Sequence, residues 1–513
     1  MNKCILGIDL GTSSVKVLAR YFDGTVKKAS AAYTAEVPAS SAGAHLDSTD
    51  SGSLSVKSWL DALVSALRKL DCSAVCAIGL SSQVGTYIIN DQDIIGWRDA
   101  AGAQELRRLK EKYSCQDFIA NIAMPHPDIS SYPLPRLLYI KEHYPQLCGI
   151  CQPKDLIIRF LTGNLVTDPY SWRGLADPDT GEYSSFFLKE LGIDKAILPP
   201  MKRPEQIAGY VSEAAAACTG LHQGIPVYTG MNDFYASLAG MGIGADGTLF
   251  DITGTSEHIG MILHSLQEET RMVSGKYLGR GSCMQVESTS DTQNTSNAES
   301  TLDTDTPPPS GGFTSDYVHY GVTASSGASL GFGLKEFGGV TTAHAEMLAK
   351  SPPIFTPYLS GERAPIFDAD ATGMFFGIST GCSREALAYA VLEGVAFSLY
   401  HIYENLNAEA ATRIIVSGGA SVNDFLNQLK ANLFGKEVIT LKENDTSALG
   451  AVMTAAIGMR LYKDYREAAS AFCEEDRHYQ PDPALQPALM KRYHIYKQLY
   501  PLLKEQMKEY RRL

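Results

Sequence analysis

Ile5-Leu6-Gly7-Ile8-Asp9-Leu10-Gly11-Thr12-Ser13, near the start of the chain, is echoed at mid-length by Leu249-Phe250-Asp251-Ile252-Thr253-Gly254-Thr255-Ser256. Each is a short apolar run, an acid and then Gly-Thr-Ser. That order describes a strand ending in a tight turn, whose backbone N–H groups and hydroxyls can hold phosphate oxygens. Either turn alone is equally well an ordinary hairpin whose Asp and Ser satisfy turn amides. Two of them, each opening one half of the chain, point to a duplicated α/β fold that clamps one nucleotide between its halves.

Outward from the first phrase, Val15, Val17, Ala19 and Tyr21 alternate with polar residues, and Asp23-Gly24 is a hairpin turn. Residues 4–37 therefore open the chain as a β-meander and not as a βαβ unit. Leu60, Leu63, Val64 and Leu67 give 58–70 a helical period. Residues 75–80 read as a buried strand ending at Ser81-Ser82-Gln83. Residues 104–161 read as mostly helical, interrupted by a rigid loop at Pro125, Pro127, Pro133 and Pro135. Residues 224–230 form a strand running into a glycine turn, and 236–242 a small-residue helix.

In the second half, 317–322 and 414–419 read as strands, and 424–434 as a helix. A long helix over 384–405 puts Leu387, Val391, Val395, Leu399 and Ile402 on one face. The Ala/Gly-rich helix over 446–459 suits close packing against a sheet. Residues 287–312 are mostly Ser, Thr, Asp and Asn, closing in Pro307-Pro308-Pro309 and Gly311-Gly312. Nothing there can bury surface, so a disordered insertion is expected.

A chain of 513 residues is too long for one core, and two domains are expected, over 1–245 and 246–513. The 57 acids against 44 bases give a formal charge of −13, which argues against nucleic acid or an anionic membrane as partner. A phosphate ligand is still compatible, because backbone dipoles and a metal ion can build its site. No apolar run suggests a membrane span, and a strand follows Asn2-Lys3 directly, without room for a signal peptide. The ten cysteines are scattered. Cys148-Gly149-Ile150-Cys151 has only His143 as a nearby further ligand, so free thiols are expected and a cytoplasmic location with them.

Four constellations carry candidate chemistry. Asp9 can hold Mg²⁺ at its strand end, Gly11, Thr12 and Ser13 can meet phosphate, and Lys16 on the next strand can neutralise charge. Asp251, Gly254, Thr255 and Ser256 repeat the pattern. Gly230-Met231-Asn232-Asp233 places an acid after a glycine turn just before the junction of the halves. Such an acid can take a hydroxyl proton in phosphoryl transfer, or simply cap the next helix. Ser417-Gly418-Gly419-Ala420-Ser421 with Asn423 lets a flat ring such as adenine lie on the backbone, although a lone Gly-Gly is more often a plain turn.

Together these phrases resemble the FGGY family of carbohydrate kinases, within the actin–Hsp70–sugar kinase superfamily. The resemblance spans nearly the whole chain. Phe355-Thr356-Pro357-Tyr358-Leu359-Ser360-Gly361-Glu362-Arg363-Ala364-Pro365 is similar to the family's PYLxGER signature, and Leu392-Glu393-Gly394-Val395-Ala396-Phe397 follows in order. Pro153-Lys154-Asp155, Leu161-Thr162-Gly163 and Asp168 resemble its middle segment, and Ala448-Leu449-Gly450-Ala451 its last helix. The resemblance implies two ribonuclease-H-like (actin-like ATPase) domains with the site in the cleft between them. It implies ATP and Mg²⁺, with a small sugar as acceptor and D-xylulose as first choice. Gluconate, another pentulose or a polyol are the alternatives, and a homodimer is left open.

Carried over by position, Asp233 is the catalytic base, and Asp9 and Asp233 sit by the magnesium. Gly11, Thr12, Ser13 and Lys16 form the first phosphate loop and Gly254 and Thr255 the second. Gly327, Gly418, Gly419 and Asn423 meet the nucleotide. The sugar site departs from the pattern: Gln83-Val84-Gly85-Thr86 lacks the histidine of xylulokinase-like members, and Trp97-Arg98-Asp99-Ala100-Ala101 lacks a trailing arginine. Gln83, Trp97 and Asp99 are the candidate sugar contacts, with strand-end capping for Gln83 and core packing for Trp97 as the plainer readings. Gly331-Phe332 replaces the usual large residue after Gly327-Ala328-Ser329. A non-catalytic nucleotide switch is the rival from another class; the PYLxGER stretch and Asp233 speak against it. A sugar-sensing repressor would need a DNA-binding domain before the first turn.

Overall fold

The computed structural model describes residues 2–33, 55–127, 129–177, 180–244, 246–254, 256–267, 272–277 and 316–513. The expected insertion at 287–312, Thr255, Cys283 and the end of the opening meander lie outside them.

Each half of the chain builds one seven-stranded sheet. The first holds β1 (Cys4–Leu10), β2 (Ser14–Tyr21), β3 (Val26–Ala32), β4 (Val75–Ser82), β5 (Ile207–Tyr210), β6 (Pro226–Tyr228) and the short β7 (Met231–Asn232), in the order β3-β2-β1-β4-β6-β5 with β7 beside β4. The second holds β8 (Thr248–Thr253), β9 (Glu257–Leu263), β10 (Val273–Lys276), β11 (Tyr317–Val322), β12 (Arg413–Gly418), β13 (Glu437–Leu441) and β14 (Glu475–Tyr479), in the order β10-β11-β9-β8-β12-β13-β14. In both, the first strand pairs antiparallel with its hairpin partner on one side and parallel with a later strand on the other. The duplication suggested by the two turns is therefore present in the topology.

The meander over β1–β3 forms because Val15, Val17 and Ala19 bury one face while Gly24 takes a φ of 93° in the turn. The helix α1 (Val56–Arg68) begins two residues before its expected start, because the hydroxyl of Ser55 caps it by accepting from Ser58 N. The proline-rich stretch differs from expectation. Pro133 and Pro135 do not lie in a loop but open a helix at Pro133–His143. The N–H groups of a first turn have no intrahelical partner, so proline loses nothing there. In α2 (Pro153–Thr162), Lys154 is fully buried between Asp155 and Asp168, at 3.4 and 3.1 Å.

The remaining helices that frame the site are α3 (Asp233–Gly240), α4 (Ser326–Phe337), α5 (Arg384–Tyr403), α6 (Asp424–Phe434) and α7 (Thr446–Gly458). The single apolar face expected of α5 is an underestimate. Tyr389, Ala390, Ala396 and Phe397 are buried together with Val391, Val395, Leu399 and Ile402, because α4, α6 and the second sheet enclose it. By length and composition α5 could cross a membrane, but it is a core helix here, with 72% of its most apolar window buried.

The helix α7 comes from the second half yet packs on the first sheet. Gly7 and Gly79 are direct partners on β1 and β4. A Cβ at either would stand 2.1 Å from the Ala448 carbonyl oxygen or 1.8 Å from that of Ala451. The opposite side of α7 presses on α3, where a Cβ on Gly450 would meet the Ala236 carbonyl at 1.9 Å. Backbone thus rests on backbone, closer than any side chain permits.

Gly79→Ala should therefore lower the unfolding midpoint markedly, at about 2–3 kcal/mol, since neither backbone can retreat. Gly149→Ala, where the added methyl meets nothing within 4 Å, should change stability by less than about 0.5 kcal/mol. Thermal melts of the two variants beside the parent check this.

Candidate active site

The two Gly-Thr-Ser turns sit at corresponding ends of the two sheets, but their acids do not correspond. Asp9 lies two residues before Gly11, and Asp251 three before Gly254. Successive strand residues face opposite sides, so the two carboxylates point to opposite faces. Asp251 goes into the core, where Lys430 of α6 holds it and Glu257, each at 2.6 Å. Lys430 is kept protonated by the two carboxylates. Asp9 accepts hydrogen bonds from Ser81 Oγ at 2.9 Å and, across the halves, from Ser447 Oγ at 2.7 Å. Burial raises its pKa.

In the first turn Gly11 N donates to Ser14 O at 3.0 Å, and in the second Gly254 N donates to Ser256 O at 3.0 Å. The glycine amides close the hairpins. Thr12 and Ser13 are exposed at the tip, as is Gly254. Lys16 pairs with Asp445 at 2.7 Å, just ahead of α7.

Gln83 and Asp233 follow Ser82 and Asn232, which are paired residues at the ends of β4 and β7. The two candidate residues are thus neighbours at one sheet end. Asn232 caps α3 by accepting from Tyr235 N at 3.0 Å, so the capping role considered for Asp233 belongs to its neighbour. Asp233 is the first helical residue, and its carboxylate accepts from Phe234 N at 2.8 Å. Although partly open to solvent, it is densely surrounded. Burial first, and then the charge of Asp9, push its pKa up to about 7. Gln83 is buried, and among the described residues its Nε2 has no hydrogen-bond partner. Its side chain caps nothing, and an orphaned buried donor suits a ligand oxygen.

Trp97 is half-buried, not a core residue, and carries the Arg98 guanidinium 4.8 Å over its ring. Asp99 is exposed, and its carboxylate closes a turn by accepting from Ala101 N at 2.8 Å. Neither has a hydrogen bond or ion pair to Asp233. On the second sheet, Gly418 lies over Thr253, whose hydroxyl donates to Ser417 O and accepts from Ala420 N, both at 2.8 Å. Gly419 opens onto free space. Asn423 caps α6 through Leu426 N. Gly327 is half-buried in the first turn of α4. Phe332 turns away into a cluster with Phe337 and Phe355, so Gly331 leaves the helix surface bare.

Sequence reasoning missed several residues at this place. His258, two residues past Ser256, lies 5.5 Å from the Phe234 ring, and burial with the charge of Arg363 holds its pKa down to about 4. Ser447 was hidden in an Ala/Gly-rich helix. Arg363 stood inside a quoted signature without a role.

Two family models match in tandem: the N-terminal domain of the FGGY family of carbohydrate kinases over residues 4–240, and its C-terminal domain over 252–459. The chain belongs to the FGGY family of carbohydrate kinases. It is similar to the xylulose kinase of Bacillus subtilis, at 26% identity over 98% of both chains. Among solved structures it shares its fold with a ligand-bound xylulose kinase from Lactobacillus acidophilus, with a TM-score of 0.77, 23% identity, and 99% of this chain and 100% of that one covered. A gluconate kinase from the same organism gives a TM-score of 0.76 at 23% identity, over 98% of each chain. Membership makes the protein a phosphotransferase with an alcohol acceptor, ATP as donor and a sugar as acceptor.

A divalent ion fits the donor set. Of two carboxylates, the buried Asp9 and the partly exposed Asp233, the second feels the charge of the first, and the nearby Lys16 is already held by Asp445. Magnesium takes one or two carboxylates plus phosphate oxygens and water. Among the described residues there is no cluster of three or more His, Cys, Asp or Glu that could hold a metal unaided.

A carboxyl whose folded pKa exceeds its unfolded one costs stability as pH rises through the window between about 4 and about 7. Asp233→Asn should therefore stabilise the apoprotein by about 1–2 kcal/mol at pH 8, a value reduced for partial solvent access. The gain should shrink on going to pH 5. Urea midpoints at the two pH values check this; a pH-independent difference would contradict the assigned pKa.

Proposed function

We propose that the protein transfers the γ-phosphoryl of ATP to a hydroxyl of a small open-chain sugar, with Asp233 as the general base. The observation that carries this reading is the carboxyl of Asp233, beside Gln83 and Asp9, with a pKa pushed up to about 7. A base is most effective when its pKa lies near the working pH. In this reading Thr12, Ser13 and Lys16 on one turn, and Gly254 and Thr255 on the other, meet the phosphates. Gly327, Gly418, Gly419 and Asn423 border the adenosine. Gln83, Trp97 and Asp99 line the sugar side.

Asp9 and Asp233 would hold Mg²⁺, which when bound neutralises phosphate charge. Asp9 is kept in place by Ser81 and Ser447, so the first and second halves both orient it. Asp233 accepts the hydroxyl proton as the oxygen attacks phosphorus in line. In this reading the halves divide at 245/246 and the chemistry lies in a cleft between them, where closure would exclude water as a competing acceptor. The names of the sequence relatives suggest D-xylulose as acceptor; gluconate, another pentulose or a polyol are the alternatives. A cytoplasmic location suits ATP as donor and the nine described cysteines, all free thiols.

Coupled ADP release against a panel of pentuloses, hexuloses, polyols and sugar acids, with a no-sugar control, tests the reading. One acceptor should stimulate release strongly; indifference to every sugar would sink it. Asp233→Asn should keep ATP binding and lose roughly 10²–10⁴-fold in kcat. For the parent, kcat/KM should fall as pH drops below about 7, because the protonated carboxyl cannot accept a proton, and Asp233→Asn should lose that limb.

A further inference from the structure

Lys430 ties together three pieces of the second half that lie far apart in the chain. Its ammonium meets Asp251 on β8 and Glu257 on β9, each at 2.6 Å, and all three side chains are buried. The strands β8 and β9 are the two arms of the second turn. Glu257 has a further partner. Its other carboxylate oxygen accepts from Ser326 Oγ, in the first turn of α4 and next to Gly327. The backbone of Glu257 holds the same segment: its N–H donates to Thr323 Oγ1 at 3.1 Å, and Thr323 N donates to its carbonyl at 2.9 Å. Lys430 itself stands on α6, about two turns after Asn423, which caps that helix.

One ammonium therefore joins the second turn, the start of α4 and the helix capped by Asn423. Each of these pieces is also pinned on its other side. Thr253 is bonded to Ser417 and Ala420 around Gly418. Asn427, one turn before Lys430 on α6, donates from Nδ2 to Ser421 O at 2.7 Å. Ahead of α4, Ala324 N donates to Glu362 at 2.7 Å and Ser360 N to Ser325 Oγ at 3.1 Å. Glu257, with Lys430 behind it, is the bridge from the turn to α4.

For stability alone such a triad is a poor way to fill a core. Taking three charged groups out of water costs about as much as their attraction returns, and apolar side chains of the same size would hold the core as well. Nor do the charges balance. Two carboxylates face one ammonium, and among the described residues Asp251 Oδ1 has no hydrogen-bond partner. What the triad supplies, and an apolar cluster would not, is direction: hydrogen bonds hold the carboxylate of Glu257, and through it Ser326, at a defined distance and angle. We propose that Lys430 and Glu257 are positioning residues for the nucleotide. Through Ser326 they set the spacing between the second turn, which meets phosphate, and the start of α4 at Gly327, which borders the adenosine. This rests on the reading of Gly254, Gly327 and Asn423 as nucleotide positions. Loss of the bridge weakens the binding of ADP and ATP without unfolding the second half.

The test is calorimetric titration of the full chain with ADP and Mg²⁺, beside thermal melts, on the parent, Ser326→Ala, Lys430→Met and Arg492→Met. Ser326→Ala leaves the ion triad in place. It should melt within about 5 °C of the parent and yet raise the Kd for ADP roughly five- to twentyfold. Lys430→Met leaves two buried carboxylates facing each other, so it should melt early and raise the Kd at least as much. Arg492→Met is the control. It breaks a pair of the same kind, with the buried Glu393 at 2.6 Å, between α5 and the helix Gln486–Tyr510. It should also melt early, with the Kd for ADP changed less than about twofold. An unchanged Kd in Ser326→Ala would overturn the proposal. So would a Kd that rises in Arg492→Met as it does in Lys430→Met, because affinity would then follow stability alone. Absence of ADP binding in the parent would refute the nucleotide reading itself, and the proposal with it. Should Lys430→Met fail to fold, Ser326→Ala decides alone.

Discussion

Everything in this molecule hangs on the contact of α7 with the paired glycines Gly7 and Gly79. A helix that belongs by sequence to the second half lies on the first sheet with no side chain between the backbones. Its other side meets α3, the helix that starts at Asp233. The contact therefore fixes the distance between the end of β1, with Asp9, and the start of α3. Both candidate acids are placed by packing before any ligand arrives, and their burial is what raises their pKa values.

The duplication supplies two similar frames that carry opposite electrostatics. In the second sheet the acid of the turn phrase is displaced by one residue, faces the core and is neutralised by Lys430 together with Glu257. In the first sheet the acid meets only hydroxyls. Neutral hydrogen bonds leave a carboxylate its negative charge, whereas a buried lysine cancels it. The first half thus offers uncompensated charge to a cation, while the second offers a rigid turn.

Local order was legible in the sequence where one short pattern decides it. The hairpin at Gly24, the strands on either side of each turn and the helix over Asp424–Phe434 all follow from alternation, turn chemistry and caps. The off-by-one acid was equally present in the letters, but its meaning depends on strand pleating and on Lys430, 179 residues away. Pro133 and Pro135 misled because a proline at a helix start looks the same as one in a loop. Arg363, His258 and Ser447 escaped for one reason: each is defined by partners from another part of the chain, and periodicity carries no information about those. Gln83 was legible as a candidate, but only its orphaned amide separates a ligand contact from a cap.

Thr446 and Ser447 are adjacent, yet they bond in different directions. The hydroxyl of Thr446 reaches Ser417 at 3.3 Å on the second sheet, and that of Ser447 reaches Asp9 on the first. Two consecutive residues therefore act as a rivet through both plates. Any swing of one plate against the other pivots there, and displacement grows in proportion to distance from the rivet. Asp9, bonded to Ser447, would sit on a short lever arm and stay in register. Loops farther out on either plate would sweep through larger distances, so that a small rotation sparing the chemistry would still decide what is allowed to enter.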